Sequence, residues 1–161
     1  MGLRTEAEVR DAARAVAAAV RAGAPAARLE GLLVAQRLRP VAEVMLGARH
    51  DPLFGTVVVV ALGGVAVELH AISAVLTAPT TAARVRDKLG PLGVLKLLGG
   101  WRGRPVVDPE PLIQTIVRFA ALAASLGPTL HTLEINPLMV GPDGVFAADA
   151  VVEMAPHSEG D

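Results

Sequence analysis

From Thr5 to about Ala22 the apolar positions Val9, Ala13, Val16 and Val20 recur three or four residues apart, which predicts an amphipathic helix. Thr5 and Glu8 stand at the spacing of an S/T-x-x-E capping box, and Gly23 with Pro25 closes the segment. The stripe is mostly alanine. Such a helix has little apolar area of its own to bury and is expected to lean on something larger.

From Leu32 to about Val75 helical spacing gives way to β-branched runs. LLVAQRL, AEVMLGAR, TVVVVAL and VAVELHAISAV predict four strands. Arg39-Pro40, His50-Asp51-Pro52 and Gly63-Gly64 break them, with His50 expected in its turn, and such short breaks favour antiparallel hairpins over crossovers. After Pro79, Thr80 or Thr81 caps a helix reaching Leu89, and a short helical stretch follows through Leu98. Gly99, Gly100 and Gly103 make a loop around Trp101 and Arg102. Asp108-Pro109 opens the clearest helix, with Leu112, Ile116, Phe119, Leu122 and Ala123 inward and Gly127-Pro128 at its end. The last element is a hairpin, LHTLEINPLMV turning at Gly141-Pro142-Asp143-Gly144 into VFAADAVVEM, with His131 at its strand start. No internal repeat or low-complexity linker interrupts this order. The expected fold class is α+β, a largely antiparallel sheet with two or three helices packed on it.

At 161 residues, 52% apolar and 19% charged, the chain has the material for one compact core. The net charge is −1 and the only lysines are Lys88 and Lys96, so no broad basic face is available and no nucleic acid partner is expected. The absence of cysteine removes disulfides, thiolate nucleophiles and Cys-ligated zinc, and agrees with a cytoplasmic location. The start, MGLRTEAEVRDAARAV, lacks the apolar run of an export signal. The longest apolar stretch, Gly55 to Val67, falls short of the roughly 20 residues of a membrane helix and holds two adjacent glycines, so buried strands and no membrane are expected. Trp101 and three Phe are the only aromatic side chains, too few for stacking platforms.

Candidate chemistry sits in the closing hairpin. Glu134, Asn136 and Asp149 occupy strand positions where a purely structural hairpin favours Val or Ile. Glu134 and Asn136, two apart, point to one face. If Pro142-Asp143 is a two-residue loop, Asn136 falls opposite Asp149 and Val151 opposite Glu134, near enough to share a cation. A three-residue loop with a bulge at Gly144 turns Asp149 to the other face instead. Two carboxylates and an amide oxygen are hard ligands suited to Mg²⁺ or Mn²⁺ beside phosphate oxygens. The plainer alternative is an edge strand interrupted at Asn136-Pro137, with Glu134 in solvent.

The segment TLEINPLMV, a turn, then AADA resembles the closing hairpin of the ATP-grasp region in NDP-forming acyl-CoA synthetases. That family includes ADP-forming acetyl-CoA synthetase and, more distantly, the β subunit of succinyl-CoA synthetase. Further blocks are similar in the same order: GLLVAQ, AEVMLGARHDPLFG, VALGGVAVEL, TAP and LLGGWRGRPVVD, so the likeness runs from about Gly31 to Val152. It implies an enzyme that makes ATP from ADP and phosphate while converting an acyl-CoA to acid and CoA, through an acyl phosphate and a phosphohistidine. Asn136 and Asp149 then match the Mg²⁺ ligands, and Glu134 matches the acid beside the transferred phosphate, itself also a candidate ligand. Glu43 matches the glutamate of the strand after the interlobe linker and is a candidate nucleotide contact. Arg102, in a block of less definite role, is either a candidate phosphate contact or a solvated surface residue, and Glu68 either a family position or a polar residue of a half-exposed strand. Gln36 stands where the family often has a glutamate toward the ribose. The implied organisation is an N-terminal helix over 1–25 left from a preceding lobe, an ATP-grasp C-terminal subdomain over 26–154, and a tail over 155–161.

An ATP-grasp site lies between two lobes. This sequence shows neither the basic residues and Gly-rich loop of the first lobe nor a phosphohistidine motif around His50, His70, His131 or His157. The resemblance therefore implies half of a nucleotide site, completed by the remaining lobes or subunits of an acyl-CoA synthetase. The alternative is a non-catalytic remnant acting as an interaction module, a homodimer closing over its exposed sheet or helix.

Overall fold

In the computed structural model, which describes residues 2–63 and 73–155, the capping box forms as the spacing predicts. Thr5 Oγ1 accepts the Glu8 N–H at 3.2 Å, and the Glu8 carboxylate accepts the Thr5 N–H at 3.3 Å. Helix α1 spans Glu6–Gly23, carries a Glu6–Arg10 ion pair on its surface, and buries none of its residues. It belongs to a compact unit, Met1–Leu38, distinct from a second unit, Arg39–Asp161.

The expected strand LLVAQRL is not one: residues 32–38 enter no ladder. A strand exists only through a neighbour, and the first unit contains nothing but α1 to neighbour this run. Leu33 and Val34 stay 94% and 70% exposed. With α1, the run borders an open cleft of about 490 Å³, lined by Val9, Ala13 and Val16 on the helix side.

In the second unit the β-branched runs pair as expected. Strands β1 (Ala42–Asp51), β2 (Gly55–Leu62), β3 (Ser73–Thr77), β4 (Leu130–Gly141), β5 (Gly144–Ala147) and β6 (Ala150–Met154) form one antiparallel sheet. The order is β3-β2-β1-β4-β5, with β6 also on β4. Glu68, His70 and the first part of the expected fourth strand lie outside the described residues, as do His157 and the tail beyond Ala155. His50 lies in β1 opposite Thr56, not in the turn. The turn belongs to Asp51, whose Oδ1 accepts the N–H groups of Leu53 at 2.9 Å and Phe54 at 3.1 Å. These donors, Leu53 first, hold the Asp51 carboxyl below its ordinary range.

Helices α2 (Ala82–Leu89), α3 (Val94–Leu98) and α4 (Glu110–Leu126) complete the α+β fold. Thr81, not Thr80, caps α2. Burial alternates along β1 and β2, so Val44, Leu46, Val58 and Val60 face the helices and pack with Ile113 and Ile116 of α4. Leu122, expected inward, is 51% exposed. It lies about 100° around the helix from Ala123, off the stripe that meets the sheet. The stretch Glu110–Thr129 is long and apolar enough to cross a membrane by length and composition, but its buried side chains belong to the sheet's core.

The opposite sheet face carries Glu43, Met45, Gly47 and Arg49 of β1 with Val57 and Val59 of β2. Their intermediate or exposed positions contrast with the buried residues between them. Helices α2, α3 and α4 pack on the other side, so among the described residues of the second unit no helix covers this face.

Candidate functional site

The site is built by one extra residue in β4. Leu138 pairs with Val44 and Ile135 with Leu46, so Asn136 and Pro137 together face Met45 as a β-bulge. On the other side of β4 the register shifts once, between Leu130 and Thr132, and then runs on unchanged past the bulge. Leu133 faces Val152, Glu134 faces Val151 and Ile135 faces Ala150. Beyond the paired residues, the Asn136 N–H donates to the Asp149 carbonyl at 3.2 Å and the Ala148 N–H to the Pro137 carbonyl at 3.0 Å. Asn136 therefore lies opposite Asp149, as a two-residue loop requires. Gly141 pairs with Gly144 around Pro142-Asp143, and the three-residue alternative is not formed.

Glu134, Asn136 and Asp149 line one shallow depression of about 190 Å³, together with Ala150 and Val151. Glu134 lies opposite Gly47 and is half-buried, whereas Asn136 and Asp149 are exposed. The Asn136 amide nitrogen donates to Glu134 Oε1 at 3.2 Å. That bond turns the amide oxygen away from the carboxylate. Asp149 Oδ1 accepts the Ala150 N–H at 2.8 Å, which orients the carboxylate and leaves its second oxygen free of that bond. Neither acid has an ion-pair partner among the described residues. Two carboxylates without an ion-pair partner make a negative hollow suited to a hard divalent cation, for which the Asn136 amide would supply its oxygen on the side away from Glu134. Among the described residues no three His, Cys, Asp or Glu side chains gather as a metal cluster. The amide is thus a necessary member of any such set.

None of the other expected site residues lines this depression. Glu43 shares the open face but pairs with Met139, four positions along β1 from Gly47, which is about 13 Å at the usual rise per residue. Its carbonyl accepts the Gly63 N–H at 2.7 Å. Gln36 belongs to the first unit, on the cleft beside α1. Arg102 lies over the Trp101 ring, 4.4 Å from its centroid, and does not line the depression. Sequence reasoning missed Lys96 as a further neighbour of that ring, at 5.3 Å. The spacing of Lys96 from Trp101, across two glycines, carries no recognisable signal by itself.

The model of the ATP-grasp domain family matches residues 1–154. The chain belongs to the ATP-grasp family. It is 32% identical over 154 residues to trans-feruloyl-CoA synthase FCS1 of an unknown prokaryote, a match covering 94% of this chain and 22% of that protein. To the acetate–CoA ligase (ADP-forming) I subunit β of Pyrococcus furiosus it is 31% identical over 150 residues, 93% of this chain and 64% of the subunit. Among solved structures, the ATP-grasp chain is similar to dinucleotide forming acetyl-coenzyme A synthetase 1 of Ca. Korarchaeum cryptofilum, with a TM-score of 0.73 and 31% identity over 96% of this chain and 69% of that one. The same protein with coenzyme A and Mg-AMPPCP gives a TM-score of 0.72 at 28% identity, over 96% of this chain and 67% of that one. This ATP-grasp chain thus spans 22% and 64% of the two sequence relatives it matches, and resembles a part of each.

Proposed function

We propose that this chain supplies the nucleotide- and cation-binding half of an NDP-forming acyl-CoA synthetase. The complete reaction takes acyl-CoA, ADP and phosphate to acid, CoA and ATP, and needs the remaining lobes or subunits. The observation that carries this reading is the register of the closing hairpin, which brings Glu134, Asn136 and Asp149 to one hollow beside the open sheet face. The solved relative that holds Mg-AMPPCP supports it.

Asn136, through its amide oxygen, and Asp149 would hold Mg²⁺ or Mn²⁺, with Glu134 beside them. Such a cation, when bound, offsets negative charge on phosphate oxygens as a phosphoryl group moves. Glu134 positions Asn136 through their hydrogen bond and keeps a carboxylate facing the phosphate side. The Ala150 N–H fixes the rotation of Asp149. Glu43, on the same face, is assigned to the nucleotide, Gln36 to the ribose by resemblance alone, and α1 to the preceding lobe.

The test is calorimetric titration of the full chain with Mg-ADP, repeated with Asn136→Ala and Asp149→Ala, while light scattering gives the mass. Binding by the wild type, lost in both variants with an unchanged melting temperature, is the expected result. Both side chains are exposed, so their removal leaves the core intact. Unaltered binding in both variants overturns the metal assignment. A tight dimer that binds no Mg-ADP replaces the reading with an interaction module, and robust ATP hydrolysis by this chain alone refutes its incompleteness.

A further inference from the structure

The glycine loop between α3 and α4 carries a second charged constellation. Lys96 Nζ lies 5.3 Å and the Arg102 guanidinium carbon 4.4 Å from the centroid of the Trp101 ring. Two full positive charges sharing one ring lie within about 10 Å of each other, roughly one Debye length at ordinary salt. The face of one indole attracts a cation, but it does not cancel the repulsion between two. Yet neither Lys96 nor Arg102 has a carboxylate at ion-pair distance among the described residues.

The backbone holds Arg102 in place at a conformational cost. Its φ of 56° and ψ of 38° are left-handed, and it is the one non-glycine residue among those described with a positive φ. Several contacts enforce this. Gly100, at φ 88°, sits where a Cβ would meet Val106 Cγ2 at 2.9 Å. Gly99 bridges to Val106, the Val107 N–H donates to the Leu98 carbonyl at 2.8 Å, and Arg104 Nη1 donates to the Val41 carbonyl at 2.7 Å. The loop is thereby tied both to the core helix α3 and to the chain entering β1. An anchored loop that presents two uncompensated cations on one exposed aromatic ring is preorganised for an anion.

We propose that Lys96, Trp101 and Arg102 form a binding site for the phosphoryl group of a small molecule. The Arg102 fork matches two phosphate oxygens, Lys96 adds a compact charge, and the indole shields one side from water. This site is separate from the hollow at Glu134, Asn136 and Asp149, needs no divalent cation, and does not rest on the function proposed for that hollow.

Trp101 is the single tryptophan, so its emission reports this loop alone. The experiment titrates the full chain with potassium phosphate, and separately with ADP, in EDTA at ionic strength held constant with potassium chloride. A saturable change in emission is expected. The double variant Lys96→Gln/Arg102→Gln should weaken the apparent affinity by about tenfold or more, as expected for loss of charge-assisted hydrogen bonds. Asp149→Ala should titrate like wild type. Saturation by ADP at much lower concentration than by phosphate identifies a nucleotide as the source, and equal saturation identifies free phosphate. No saturable change with either ligand beyond the chloride control overturns the proposal, as does a double variant that titrates like wild type. Lys96→Gln alone, outside the strained turn, repeats the test should the double variant fail to fold.

Discussion

Replacing Gly47 with valine separates stability from binding on the open face. Gly47 sits mid-strand in β1, flanked by Val59 of β2 and Glu134 of β4. A Cβ there meets nothing within 4 Å, and its φ lies outside the left-handed region. The glycine is thus required neither by backbone conformation nor by close packing. Valine gains on two counts: it restricts the unfolded chain, and it packs as a β-branched residue on a central strand, together about 1 kcal/mol. For a chain of this size that raises the melting temperature by about 2–4 °C. The new isopropyl group stands beside Glu134 on the face assigned to the nucleotide. Its bulk should reduce Mg-ADP affinity by about tenfold or more, some 1.4 kcal/mol. Scanning calorimetry gives the first quantity and isothermal titration the second. A raised melting temperature with unchanged Mg-ADP affinity would refute the placement of the nucleotide on this face. A melting temperature lowered by several degrees would refute the openness of the face itself.

The core makes an independent demand: Ile116 is fully buried between α4 and the sheet, so Ile116→Ala should cost about 2–5 kcal/mol and lower the urea midpoint without changing the slope of the transition. An effect under 1 kcal/mol would mean that α4 is not the cover of this sheet. Asp51 gives a pH signature, because its carboxyl titrates below the ordinary 3.8, chiefly through the Leu53 N–H and then that of Phe54. A group whose folded pKa is depressed adds stability above its unfolded value and loses it as pH falls through the folded one. The stability gap between wild type and Asp51→Ala should therefore be open at neutral pH and narrow below 3.8. Denaturant midpoints across an acid series check this, and a gap independent of pH would refute it.

The closing hairpin was legible because β4, its turn and the return limb, split at 148–149 into β5 and β6, lie within 25 residues of the chain, Leu130 to Met154. Its register was not: the same turn residues fit a two-residue loop or a three-residue loop bulged at Gly144, and only the pairing of Gly141 with Gly144 brings Asn136 opposite Asp149. The bulge against β1 was not legible. It depends on a partner far back in the chain, and nothing in Asn136-Pro137 states that Met45 will be its single opposite number. Leu122 shows the same limit on a helix, since apolar character and near-helical spacing cannot tell a stripe from its margin.

LLVAQRL failed for a deeper reason. A β-branched run records a preference for pairing, whereas a strand is a relation between two segments. The run from Ala42 finds its partners at Gly55 and Leu130 within its own unit and becomes the centre of a sheet. The run from Leu32 shares its unit with α1 alone, and Leu33 remains 94% exposed. Two runs that both read as strands thus have opposite outcomes, and the difference lies in the neighbours each finds within its own unit. The same argument governs the candidate site. Glu134 and Asn136 are joined to Asp149 by pairing within the hairpin, so the hollow forms here, while Gln36 belongs to a unit where no such pairing exists.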